Sequence, residues 1–165
     1  MDAVNILLVD DDQNLATTLS HGLRKALGKA ISVSSCSSGP EAFALLATQS
    51  FDMVISDFHM PVMSGLELLK KIRQDHCETS LVLITAFGTE MLEEEVHQLG
   101  FGYIAKPFGM PLLVQIIQAL IRGKETKETK EPPAIVALGD NSEPDHLMRN
   151  ANNNERLLFD EERYE

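Results

Sequence analysis

Five apolar runs, each too short for a buried helix, alternate through residues 3–122 with segments whose apolar residues recur at helical spacing. The runs are Val4 to Val9, Ile31 to Cys36, Asp52 to Asp57, Leu81 to Ile84 and Phe101 to Ala105. Strands this apolar must be covered on both faces, and strand-then-helix repetition predicts a parallel sheet with helices on each side. The expected fold is α/β: a doubly wound five-stranded parallel sheet with five helices. The first helix carries Leu15, Leu19, Leu23 and Leu27 as one stripe, capped by Asp12 or Asn14. Ser38-Gly39-Pro40-Glu41 offers a cap, an early Pro and a box-completing Glu for a helix to about Thr48. Ser64-Gly65-Leu66-Glu67 repeats the box for a helix to about Arg73, Thr89 caps a helix ended by Gly100, and a fifth helix runs from about Met110 to Arg122.

The residues at the ends of the runs carry the chemistry. Asp10 and Asp11 follow the first, Asp57 ends the third, Thr85 follows the fourth and Lys106 the fifth. In an open α/β sheet, ligands bind at the carboxyl ends of the strands. Carboxylates gathered there repel one another, by about 4 kcal/mol per pair at 4 Å and an effective dielectric of 20. A hard divalent ion with oxygen ligands answers that, and Mg²⁺ typically uses one or two carboxylates, waters and a phosphate oxygen. Lys106 adds a fixed positive charge. A carboxylate between two cations is well placed to attack phosphorus, so the implied chemistry is phosphoryl transfer to Asp57.

On these residues the chain resembles the receiver domain of two-component response regulators, the CheY-like, flavodoxin-like fold, over about residues 3–122. The resemblance rests on Val9-Asp10-Asp11-Asp12, on Asp57-Phe58-His59-Met60-Pro61-Val62-Met63-Ser64-Gly65, on Thr85-Ala86 and on Lys106-Pro107-Phe108. It implies strand order 2-1-3-4-5 and Asp57 as phosphoacceptor, taking its phosphoryl group from a phosphohistidine on a sensor histidine kinase or phosphotransfer protein. Asp11 and Asp57, with the backbone carbonyl of His59, would bind Mg²⁺, and Asp10 would orient a metal-bound water. Lys106 would pair with the phosphoryl group and Thr85 hydrogen-bond to it. Tyr103 falls at the aromatic switch position, entering space that Thr85 vacates, and Lys106-Pro107 permits the family's cis bond. The output would be a changed α4-β5-α5 surface offered to a downstream protein or a second copy of the chain. Glu93, Glu94 and Glu95 are expected beside the last helix, making that surface acidic. Catalysis is confined to the chain's own phosphorylation and dephosphorylation. Asp12 reads as a cap and the His59 side chain as a loop imidazole, neither as a metal ligand.

Composition narrows the classes. The 165 residues hold 14 Lys+Arg against 25 Asp+Glu, a net charge of -11, which disfavours direct nucleic-acid binding and anionic membranes. No apolar stretch approaches a bilayer span and no cationic leader precedes the first strand, so the expected location is the cytoplasm. Cys36 and Cys77 lack metal-ligand spacing and read as reduced thiols. Residues 123–134 read as a charged, Pro-terminated linker, and residues 135–165 as an acidic, Asn-rich tail, flexible or leading to a further domain. From Gly123 onward there are 6 basic and 11 acidic residues, so this region is no concealed DNA-binding module. Two other classes stay in view. One is a fragment of a larger hybrid histidine kinase or effector enzyme continuing beyond Glu165. The other, remote, is an aspartyl-nucleophile phosphohydrolase, which would place a second Asp where this chain has His59.

Overall fold

The computed structural model describes residues 3–126 and 136–137. The strands are β1 (Val4–Val9), β2 (Ile31–Cys36), β3 (Met53–Asp57), β4 (Ser80–Thr85), β5 (Gly102–Ala105) and a short β6 (Val136–Ala137). The helices are α1 (Gln13–Leu27), α2 (Gly39–Leu46), α3 (Gly65–Asp75), α4 (Glu90–Gln98) and α5 (Met110–Thr126), with a 3-10 turn at Gly28–Ala30. All strands are parallel, in the order β2-β1-β3-β4-β5-β6. The expected five-strand order 2-1-3-4-5 and five helices are thus observed, with one edge strand added.

The strand period of two sorts the core into two layers. Ile6, Leu8, Ile55, Val82, Ile84 and Ile104 face Leu19 and Leu23 of α1 and Leu113, Ile116 and Ile117 of α5. Leu7, Val9, Val54, Leu81, Leu83 and Tyr103 face the other way, onto Ala42 of α2, Leu69 and Ile72 of α3 and Val96 of α4. Each large aliphatic side chain buried this way contributes about 1.5–3 kcal/mol, which holds the strand ends in a fixed frame.

The caps largely follow the sequence. The Asp12 carboxylate accepts from the amides of Asn14 and Leu15 at 3.0 and 3.1 Å. Ser64 and Glu67 complete a reciprocal box, and Thr89 caps α4. At α2 the box fails: the Glu41 carboxylate turns back to the Ser37 amide, 2.9 Å, instead of the cap residue's own amide. The α2 helix ends at Leu46, short of Thr48, and α3 continues past Arg73 to Asp75.

Two larger departures lie toward the C-terminus. The α5 helix passes Arg122 and ends at Thr126, because Gly123 is tolerated at about 1 kcal/mol and Lys124 and Glu125 are good helix formers. Val136 and Ala137, expected in the tail, pair with β5. The rest of the expected linker and tail, residues 127–135 and 138–165, lies outside the described residues. The acids of α4 also divide differently from expectation. The α4 helix packs in the layer of α2 and α3, not that of α5, and Glu95 reaches Lys70 of α3 at 2.6 Å. Among the described residues no helix is long and apolar enough to cross a membrane.

Candidate functional site

Register brings the strand ends to one edge. Val9 lies opposite Ser56, Asp57 opposite Ile84, and Thr85 opposite Ala105. Asp10, Asp57, Thr85 and Lys106 therefore meet at the carboxyl edge, beside the β1/β3 junction where the strand order reverses. Asp10 and Asp57 are each 8% exposed and Thr85 is fully buried. The Lys106 Nζ lies 2.5 Å from Asp57 Oδ1 and 3.8 Å from Asp10 Oδ2. The second Asp57 oxygen accepts from the His59 amide at 2.8 Å, and Asp10 Oδ1 accepts from the Asp12 amide at 2.9 Å. The Lys106 amide donates to the Thr85 carbonyl, 2.7 Å, tying the last two strand ends together, and Lys106-Pro107 is cis. Asp11 is exposed at the rim.

One ammonium thus serves a group of acids. Burial pushes the Asp10 carboxyl above its usual range; the Asp12 amide and Lys106 pull it down, while Asp57 and Asp11 push it up further. That surplus of negative charge suits a cation. Among the described residues no three His, Cys, Asp or Glu side chains form a ready cage. The donor set nonetheless fits Mg²⁺, which takes few carboxylates and keeps its waters, for which the exposed side at Asp11 leaves room. Asp12 is committed to capping α1. The His59 imidazole packs edge-on to Phe58 and Phe87, with ring centroids 4.8 and 5.3 Å away. Cys36 and Cys77 are free thiols.

Thr85 and Tyr103 connect this edge to the α4 side. The Thr85 hydroxyl accepts from the Phe87 amide at 3.1 Å. Tyr103 is buried while that bond is in place. It fits because Gly88 has no side chain: a Cβ there would fall 1.8 Å from the phenol oxygen. Burial, and secondarily the charge of Glu93, pushes the phenol above its usual range. Gly88→Ala is therefore expected to drive the ring outward and lower its titration toward the ordinary value of about 10. Absorbance titration in a Tyr164→Phe background, which leaves one tyrosine, checks this; an unchanged midpoint would count against the contact.

Four residues around the site hold contacts or backbone conformations that sequence reading does not disclose. Phe87 and Gly88 lie in a loop whose only linear signal is the cap Thr89. Gly65 reads as a first helical residue, yet a Cβ there would fall 1.9 Å from the Asp57 carbonyl oxygen. Val62, 97% exposed, sits at φ +73°, a left-handed backbone that strains a β-branched residue and that no local pattern announces.

Comparison with known proteins agrees with this geometry. The family model for the response regulator receiver domain matches residues 6–118. The DNA-binding transcriptional regulator NtrC of Salmonella typhimurium is 30% identical over 135 residues, covering 81% of this chain and 28% of that protein. The transcriptional regulatory protein QseB of Haemophilus influenzae is 35% identical over 122 residues, 72% of this chain and 53% of its own length. The chain thus spans about a quarter to a half of these relatives. Among solved structures, the chemotaxis protein CheY4 of Vibrio cholerae superposes with a TM-score of 0.65 at 30% identity, over 72% of this chain and 98% of that one. The receiver domain of a LuxO repressor protein from Vibrio parahaemolyticus, at 22% identity and a TM-score of 0.69, shares the fold. A matching family model over most of the chain, the 2-1-3-4-5 sheet and the acids and lysine at its carboxyl edge agree: the chain belongs to the response regulator receiver domain family.

Proposed function

We propose that the chain is the phosphoacceptor of a two-component phosphorelay and that Asp57 takes the phosphoryl group from a phosphohistidine on a sensor histidine kinase or phosphotransfer protein. The observation that carries this is the Lys106 ammonium against the Asp57 carboxylate, with Asp10 alongside, at the sheet's switch point. An Asp57 oxygen forms the new O–P bond as the donor's P–N bond breaks, and the donor imidazole leaves. The His59 amide orients the carboxylate, and Lys106 shifts its charge from the Asp57 oxygen to the phosphoryl oxygens. A bound Mg²⁺, held by Asp11, Asp57 and the His59 carbonyl with Asp10 on a coordinated water, would neutralise charge on those same oxygens.

The signal would leave through Thr85. Its hydroxyl is held by the Phe87 amide, so turning it toward a phosphoryl oxygen releases the loop that carries Gly88 and thereby the Tyr103 packing. The surface so altered is the α4-β5-α5 face. Phe87 is 73% exposed there, Met91 is exposed beside it, and Glu94 lies on the same helix, which suits a partner with an apolar centre and a basic rim. The relatives are longer than the stretch they share with this chain, which supports a second reading in which the receiver governs an effector domain of a larger protein. The test is to incubate the chain with a small phosphodonor such as phosphoramidate and follow intact mass. A gain of one phosphoryl group that needs Mg²⁺ and disappears with a chelator is expected; no gain, or gain indifferent to the metal, would overturn the reading.

A further inference from the structure

Between Gln13 and Pro40 this chain of net charge -11 carries no Asp or Glu, yet Arg24, Lys25 and Lys29 lie in that stretch. The stretch folds as α1, the 3-10 turn and β2, and β2 is a terminal strand of the sheet. A sheet edge presents unpaired N–H and C=O groups to any other strand, and the six residues of β2 are enough to serve as a template. In a parallel ladder, successive residues turn these groups to opposite edges. The Cys36 carbonyl accepts from the Asp10 amide at 3.1 Å, so Cys36, Ser34 and Ser32 face β1. Ile31, Val33 and Ser35 therefore face outward. At the centre of that outward row, the Arg24 guanidinium donates to the Val33 carbonyl at 2.6 Å. Leu23 is fully buried against the sheet, which leaves its neighbour Arg24 on the flank of α1, within reach of the outer strand.

We propose that Arg24 guards the β2 edge: it occupies the carbonyl on which a second copy of the chain would pair, and so keeps two receivers from joining sheet to sheet. Two identical edges pair about a two-fold axis, which for antiparallel strands passes beside the middle of the outward row. Val33 is that middle, so the guanidinium stands at the axis and both copies must withdraw theirs. A charge-assisted hydrogen bond is roughly twice as strong as a neutral one, so the ladder bond gained there does not replace it. Lys25 and Lys29 are exposed, and Lys29 lies two residues before the strand, which adds like-charge repulsion between two copies at the same edge. Association between copies is thereby confined to other faces of the molecule.

Sedimentation velocity on the full chain over a range of concentrations tests the guard. Arg24→Met keeps an unbranched, helix-forming side chain and removes the donor. It is expected to self-associate at least about 10-fold more tightly than the parent, since neither copy then surrenders a charged hydrogen bond on pairing. Arg24→Lys retains a donor and is expected to stay near the parent. Adding Ser35→Pro to Arg24→Met removes an outward N–H without touching a ladder bond, and is expected to restore the parent's behaviour. Hydrogen exchange reads the edge directly: in Arg24→Met the Val33 and Ser35 amides are expected to slow as concentration rises. An Arg24→Met chain that associates no more than the parent would overturn the proposal. So would tighter association that survives Ser35→Pro or that leaves exchange at Val33 and Ser35 unchanged; if the double variant does not fold, the exchange measurement decides alone.

Discussion

Asp57→Asn is expected to reduce phosphoryl labelling of the chain to background while leaving it folded. Asparagine keeps the size and an oxygen that accepts from the His59 amide, so the β3 end retains its geometry. What it loses is the negative oxygen that forms the bond to phosphorus. It also releases Lys106, whose ammonium remains 3.8 Å from Asp10 and can pair there, so no buried charge is stranded. Removing one of two neighbouring acids relieves the repulsion that helps push Asp10 upward, and folding stability is expected to hold or rise slightly. The companion variant is Asp12→Ala. Asp12 caps α1 through the amides of Asn14 and Leu15, so its loss lowers stability by about 1 kcal/mol and leaves labelling intact. Intact-mass measurement after phosphoramidate, with urea unfolding of each variant, separates the two roles. Labelling that survives in Asp57→Asn, or disappears in Asp12→Ala, would move the acceptor away from β3.

How far these roles were legible in the sequence depends on whether they were written locally. Apolar runs ending at or just before Asp10, Asp57, Thr85 and Lys106 announced both the strands and the gathering of their tips, since an open parallel sheet puts every such end on one edge. The cap at Asp12 and the box at Ser64 to Glu67 were equally local. The failures are through-space. Gly88 matters because Tyr103 lies against it, fifteen positions later, and nothing in a loop glycine declares its neighbour. Glu41 satisfied the box spacing but found the Ser37 amide and hydroxyl, two donors that together outcompete the single cap amide. Residues 123–126 carried a linker composition, yet a helix already paid for by Leu113, Ile116 and Ile117 propagates through them, since adding a residue to a formed helix needs no new nucleus. Val136 and Ala137 fell within the stretch read as tail; their pairing is with β5, a neighbour no local pattern names.

Gly65→Ala is expected to lower stability by about 3 kcal/mol and to slow phosphorylation, the largest effect of any single methyl addition near the site. The added Cβ would lie 1.9 Å from the Asp57 carbonyl oxygen, 2.8 Å from its carbon and 2.8 Å from the Ser56 hydroxyl. The first two are backbone atoms and neither side can yield cheaply. On one side, Ser56 Oγ donates to the Asp57 carbonyl and the strand is paired on both edges. On the other, the Gly65 amide donates to the Phe58 carbonyl, Ser64 and Glu67 lock the first turn, and Leu66, Leu68, Leu69 and Ile72 anchor α3 in the core. Relief must come from pushing the β3 end away from α3, which swings the Asp57 carboxylate off the Lys106 ammonium. Gly39→Ala is the control, because its Cβ would meet only the Met63 side chain, at 3.0 Å from the sulfur, and a thioether can turn aside. That variant is expected to unfold within about 1 kcal/mol of the parent and to label normally. Urea unfolding and the initial rate of phosphoramidate labelling measure both. Equal stability for the two variants would mean that α3 and β3 can part without loss, and the close approach that positions Asp57 would have to be discarded.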